Sequence, residues 1–220
     1  MALNKLKFNS INVTPAASEA IRFNSSANGL ETASGGGNLI KIASSTASSS
    51  SSISFTSGIN STHKEYIFFF NNIHPSTNGT NFTFNMSVDS GSNYNVSKTT
   101  SLFNAFHYES GSSSNLAYIA NVDLAQSADY QPLMSFGDLN NSNDGGLSGY
   151  LHLFEPSNTT FVKHFIARTS LVGGADGANQ YVNNDHIGGH ANTTSAVDAL
   201  DFKMSSGNID AGTITMYGVL

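Results

Sequence analysis

Residues 81–88 read NFTFNMSV, with Phe82, Phe84, Met86 and Val88 at every second position and Asn81, Thr83, Asn85 and Ser87 between them. A period of two puts successive side chains on opposite faces of an extended chain, so this stretch predicts a half-buried antiparallel strand. Residues 64–73 (KEYIFFFNNI) are instead apolar without a break at their centre. That pattern fits a strand covered on both faces. Further strand candidates lie at 100–108, 116–124, 131–136, 148–154, 161–169, 199–204 and 213–219. The connecting stretches, such as DSGSNY, ESGSSSN, DLNNSNDGG, EPSNTT and SSGNIDAG, are dense in turn formers. About eight to ten strands at this spacing predict an all-β protein, an antiparallel jelly-roll-like β-sandwich. Its core is expected to be built from Phe68, Phe70, Phe82, Phe84, Phe103, Phe136, Phe154, Phe161, Phe165, Phe202 and Tyr217.

Helix signals are confined to residues 15–21 (PAASEAI), which run into an alternating stretch and read equally well as part of an extended arm. Residues 1–45 are therefore read as an extended N-terminal arm or attachment segment and 46–220 as the sandwich domain. The Ser-rich tract near residue 50 fits either an ordered surface segment or a linker.

Composition narrows the function classes. Charged residues make up only 11% of the 220 residues, against roughly 25% for an average domain, and Ser, Thr and Asn supply about a third of the chain. A coiled coil needs far more Glu, Lys and Leu, and the absence of Cys excludes a disulfide scaffold. The net charge of -6, with nine Lys and Arg dispersed along the chain, gives no footprint for nucleic acid. The longest apolar run, 66–70, is too short to span a bilayer, and the first residues lack the apolar core of a signal peptide. Ten Asn-x-Ser/Thr sequons, Asn78, Asn81 and Asn85 among them, are a small excess for so Asn-, Ser- and Thr-rich a chain.

Candidate chemistry is sparse. His186 and His190 have the four-residue spacing of a helical metal pair, but Ile-Gly-Gly lies between them and the Glu of H-E-x-x-H is missing. His74, His152 and His164 read as strand residues, and GLSGY at 146–150 lacks the spacing of a nucleophile elbow. The Glu residues beyond the arm are Glu65, Glu109 and Glu155. Asp89, Asp138, Asp144, Asp176, Asp185 and Asp210 fall where turns are expected. The oxygen-rich loops match neither an EF-hand nor a nonapeptide calcium repeat, and the Gly35–Gly37 cluster lacks the Lys and helix of a phosphate loop. No catalytic, cofactor-binding or metal residue is therefore assigned, and a neutral surface rich in Asn, Ser, Tyr and Gly suits packing or contact with sugars.

Several stretches carry a family pattern. They are MALNKLKFNSINVTPAASEAIRFNSSANGLET at 1–32, FTSGINSTHKEYIFFFNNIHPSTN at 55–78, FTFNMSVDSGSNYNVSKTT at 82–100, LSGYLHLFEPSNTTFVKHFIA at 147–167 and NTTSAVDALDFKMSSGNIDAGTITMYGVL at 192–220. Together they resemble virion structural proteins of marine tailed bacteriophages, capsid decorations and tail-associated β-sandwich proteins. The most specific part is F-x-x-S-S-G-N-I-x-x-G-T-I-x-x-Y-G at 202–218, read as strand, turn at Gly207 and Asn208, apolar plug at Ile209, bend at Gly212 and returning strand. The resemblance implies a non-enzymatic particle component, located in the virion, in contact with other virion proteins and commonly a homo-oligomer, a trimer being favoured. It supplies no catalytic residues and no cofactor. The alternative is a receptor-binding module that recognises host glycan through the 138–146 and 173–190 loops. A more distant one is a glycan-cleaving enzyme using Glu109 or Glu155.

Overall fold

The computed structural model describes residues 19–23, 26, 28–34, 38–174 and 179–220. The chain divides into two units, 1–38 and 39–220. In the first, β1 (Glu19–Phe23) and β2 (Leu30–Ser34) form an antiparallel pair with Ile21 opposite Thr32. Residues 1–18 and the Gly35–Gly37 cluster lie outside the described residues, and the C-terminal part of the 15–21 stretch is strand.

The second unit holds β3 (Leu39–Thr46), β4 (Ile53–Phe55), β5 (Glu65–Pro75), β6 (Phe82–Ser87), β7 (Lys98–Tyr108), β8 (Ser114–Tyr118), β9 (Gln131–Pro132), β10 (Gly146–Phe154), β11 (Lys163–Gly173), β12 (Tyr181–Ala191), β13 (Ala199–Met204) and β14 (Ile209–Val219). They form two antiparallel sheets. The wide sheet has the order β3-β14-β5-β10-β11-β12-β7-β8 and the narrow one β4-β13-β6-β9. The protein is thus an all-β sandwich. Residues 39–45, grouped with the arm in the sequence reading, form most of β3 and pair with β14, so the sandwich begins at Leu39. The Ser tract is an ordered loop: Ser50 bridges to Ile209 and the Ser49 hydroxyl donates to Asp210.

Between the sheets lies the aromatic core. Phe202 is its hub, with ring centroids 5.3 Å from Phe70, 5.6 Å from Phe68, 5.9 Å from Phe82 and 6.3 Å from both Phe55 and Phe84. Edge-to-face and offset arrangements at these distances add to the burial of apolar area. Two strand expectations are reversed. Residues 82–87 are buried on both faces, whereas β5 alternates, with Tyr66, Phe68 and Phe70 inside and Ile67 and Phe69 half-exposed outside. Phe103, Phe136 and Phe161, expected in the core, are exposed, and Phe154 and Tyr217 lie on the outer side.

The narrow sheet covers only part of the wide one. Over β7, β11 and β12 the cover is an irregular segment, about 119–140, which holds the 3-10 turn Ala120–Val122 and buried Leu133, Met134 and Leu139. Irregular backbone in an interior leaves N–H and C=O groups without ladder partners, and each must be satisfied by something else. Buried side chains do so. Gln131 Nε2 donates to the carbonyls of Val122 and Pro132, Thr169 Oγ1 to that of Leu133, and Asn85 Nδ2 to those of Tyr94 and Ala128. Ser135 N donates to the Asp185 carboxylate, whose other oxygen accepts from Asn183 Nδ2. Asn104 Nδ2 bonds Ser135 Oγ and Asn183 Oδ1, closing a buried network. Lys98 is fully buried too, with Nζ donating to Asn85 Oδ1 and the Val96 carbonyl.

This polar layer hid β12 from the sequence reading. Its inward residues are Tyr181, Asn183, Asp185, Ile187 and Gly189, so no apolar alternation marks it. Asp185, expected in a turn, sits in mid-strand with no exposure. At the C-terminus the signature motif has its turn at Gly207 (φ +72) and its plug at fully buried Ile209, but β13 and β14 lie in different sheets. The turn is therefore a crossing between layers and not a hairpin.

Candidate interaction surface

Alternation on the wide sheet sends one set of side chains into the core and the other outward. Registers fix the outward rows. One runs Thr215, Phe69, Tyr150, Arg168, His186, Phe103, Tyr118 across seven strands. The next runs Lys41, Tyr217, Ile67, His152, Ile166, Gly188, Ser101. A third brings together His164, His190 and Thr99. Among these positions only Arg168 and Lys41 are permanently charged.

The rings on this face touch one another. His186 stacks on Phe103 at 4.8 Å with planes 3° apart, His152 lies 4.1 Å from Phe154, and Phe69 meets Tyr217 edge-on at 5.7 Å. His164 and His190, directly opposed on β11 and β12, have centroids 5.9 Å apart. Burial against the sheet, with the Arg168 charge adding, lowers the His186 pKa, so its imidazole is neutral at neutral pH. Several large apolar residues stand open: Leu116 at 69%, Tyr118 at 65%, Ile166 at 51% and Phe103 at 48% exposure.

The size of the face can be judged from strand geometry. Seven inter-strand spacings and strands of up to 11 residues give about 34 by 36 Å, on the order of 1,200 Å². A specific protein interface needs about 800 Å² per partner. A neutral, ring-bearing surface of this area can pack against another protein with little cost of desolvating charge.

The groups singled out by sequence are dispersed. His186 and His190 share the outer face of β12, four residues apart with Gly188 as the outward position between them. Glu65 pairs with His152 Nε2 at 2.8 Å and Glu155 with Lys64 at 3.1 Å, while the Glu109 backbone N–H bonds the Gln180 carbonyl beyond the end of β7. The GLSGY stretch is the start of β10. Asp89 is a turn residue, and hydrogen bonds from Ser87 and Asn93 hold its carboxyl at about 2. The 138–146 loop is wound on its own polar groups, with Ser142 N bonding Asn140 Oδ1 and Ser142 Oγ bonding Asp144. Asp176 lies outside the described residues, and much of the 173–190 loop is β12. Among the described residues no group of three or more His, Asp or Glu is placed to hold a metal ion, and no helix is long and apolar enough to cross a membrane.

Sequence reasoning missed the outer face because its members are spread over seven strands. The local signal was present in Tyr150, His152 and Phe154, alternating with the buried leucines of LHL, and in His164, Ile166 and Arg168. Comparison with protein-family models, with curated proteins and with solved structures returned no match.

Proposed function

We propose that the chain is a non-enzymatic structural module, a jelly-roll-like sandwich that works by packing the outer face of its wide sheet against further copies of itself or other subunits of a particle. The observation that carries this reading is the set of open apolar and aromatic side chains Phe103, Leu116, Tyr118 and Ile166, on a face large enough for a specific interface. The resemblance of the sequence to phage virion proteins supports a tailed-phage particle as the assembly, with a capsid decoration or tail component as the role. Sedimentation analysis of the purified chain tests it. The expected result is a homo-oligomer, a trimer in the favoured case, that dissociates in a Phe103→Ser, Ile166→Ser double variant with unchanged circular dichroism. A wild-type chain that stays monomeric and fails to bind isolated particles overturns the proposal.

A further inference from the structure

At the end of the polar layer, where β7 and β12 run out beyond the narrow sheet, lies a recess of about 350 Å³ lined by Phe106, Tyr108, Phe136, Asp138 and Tyr181. Tyr108 and Tyr181 are direct cross-strand partners, with centroids 5.1 Å apart. Phe106 meets Tyr108 at 5.9 Å and 82°, and Phe136 at 5.8 Å and 80°. Phe136 in turn meets Tyr181 at 6.2 Å and 82°. Phe106 also meets Tyr181 at 6.1 Å and 64°, and the Tyr108 and Tyr181 planes lie 46° apart, so the four rings form an angled box. They do not make the flat platform on which a sugar ring stacks.

The box has a carboxylate in its wall. One Asp138 oxygen accepts the Tyr181 hydroxyl hydrogen, and the other is buried without a hydrogen-bond partner. Asp185, fully buried on the strand that carries Tyr181, feels the Asp138 charge. The segments that line the recess, 104–110, 134–141 and 179–185, contain no Lys or Arg. Two desolvated carboxyl groups thus lie together with no cation from those segments to balance them, and burial holds both pKa values above the ordinary range.

Phe136 supplies an independent observation. It is held at φ +68, the left-handed region that bulky side chains avoid, with Gly137 following at φ +65. The Phe136 ring lines the recess and remains 47% exposed. A glycine would adopt this backbone without strain. Strain that keeps a phenyl ring half in water is accounted for by a ring that contacts something entering the recess.

We propose that this recess is a binding site for an organic ammonium group, held between the faces of Phe106, Tyr108, Phe136 and Tyr181 and balanced by Asp138. The negative faces of aromatic rings attract a cation, and desolvation strengthens the attraction. The volume is at the lower end of ligand pockets, which suits an alkylammonium head and excludes a large ligand.

Titration calorimetry of the full chain tests the site, with tetramethylammonium, n-butylammonium and the neutral analogue neopentyl alcohol as probes. At least one cation binds, and the neutral analogue binds about tenfold more weakly or not at all. Tighter binding of n-butylammonium names a lysine-type side chain as the natural source, and tighter binding of tetramethylammonium a methylated ammonium headgroup. Asp138→Asn and Phe136→Gly each weaken cation binding by about fivefold or more, and Phe136→Gly does so with its circular dichroism unchanged, because it relieves the backbone strain while removing the ring. Equal binding of the neutral analogue, absence of binding by both cations, or undiminished affinity in both variants overturns the proposal. Since the recess opens on the inner side of the sheet, these results are independent of the sedimentation behaviour.

Discussion

Replacing Asp185 by Asn removes a charge from the interior of the wide sheet, and the effect on stability has a defined sign and pH window. The carboxyl is fully buried and accepts from Ser135 N at 3.0 Å and Asn183 Nδ2 at 2.9 Å. Burial outweighs those bonds and, with the Asp138 charge adding to it, pushes the pKa from 3.8 up to about 6. Between about pH 4 and about pH 6 the folded protein keeps a proton that the unfolded chain has released. The folded state's stability therefore falls as pH rises through this window, and the contribution is fully present only below the unfolded pKa. A shift of about two units at about 1.4 kcal/mol each is on the order of 3 kcal/mol. The Asp185→Asn variant has no such titration. Its amide also puts a donor against one of the two donors, a cost of about 1–3 kcal/mol that does not vary with pH. The decisive quantity is the difference curve: unfolding free energy of the variant minus that of wild type, from urea titrations followed by tyrosine fluorescence. It rises by about 3 kcal/mol between about pH 4 and about pH 7. A flat curve refutes the reasoning, and a falling one would mean that the hydrogen bonds outweigh burial.

Phe202→Ala removes the hub of the aromatic core and costs about 3–5 kcal/mol, read as a lower urea midpoint at unchanged slope. Adjacent glycines on β12 give opposite outcomes: a Cβ at Gly188 meets nothing within 4 Å, whereas at Gly189 it comes within 2.7 Å of the Thr99 carbonyl oxygen and 2.8 Å of the Phe165 ring. Gly188→Ala is accordingly neutral within about 0.5 kcal/mol and Gly189→Ala destabilises by about 1–3 kcal/mol in the same unfolding assay. Burial lowers the Lys98 pKa from 10.5 to about 8, so the folded state releases its proton first. Stability thus gains from this group as pH rises from about 8 to about 10, and Lys98→Met abolishes that gain in a urea series at alkaline pH.

The fold class was legible because the Phe-bearing strands declare themselves locally. Residues 199–204 and the strand around Phe82 and Phe84 alternate or run apolar over their whole length, and both form the narrow sheet. The interior that the wide sheet shares with residues 119–140 was not legible. There Asn183, Asp185, Asn104 and Gln131 are buried to satisfy irregular backbone, and a polar residue facing inward looks the same in sequence as one facing water. The same ambiguity led Phe103, Phe136 and Phe161 to be read as core. A hydrophobic period identifies one face of a strand, but which face is covered depends on what the rest of the chain lays over it. The candidate surface and the recess were invisible for a further reason. Their members come from strands that are far apart in sequence, and Tyr108, Phe136 and Tyr181 meet only through the order β12-β7 and the segment packed beneath it.

The low charge of the chain follows from how the sandwich is closed. Most wide sheets of a sandwich are covered by a second sheet, whose own ladder satisfies its backbone. Here four strands cover part of eight, and a coil covers the rest. A coil in that position needs neutral side chains with both donors and acceptors. Lys or Glu would bring an unbalanced charge, while Asn, Gln, Ser and Thr satisfy two or three groups each at a much lower desolvation cost. Lys98 and Lys163, whose ammonium groups donate to carbonyl and amide oxygens, and Asp185, buried among donors, are among the exceptions, and each has its pKa displaced toward the neutral form. On the opposite side of the sheet the same residue classes, interleaved with rings, leave a face that carries little charge to desolvate. One composition therefore meets two separate demands, an interior closed by irregular backbone and an exterior suited to contact. The place where the coil cover ends, at Phe136 and Asp138, is where a recess lined by aromatic rings opens at the edge of the interior.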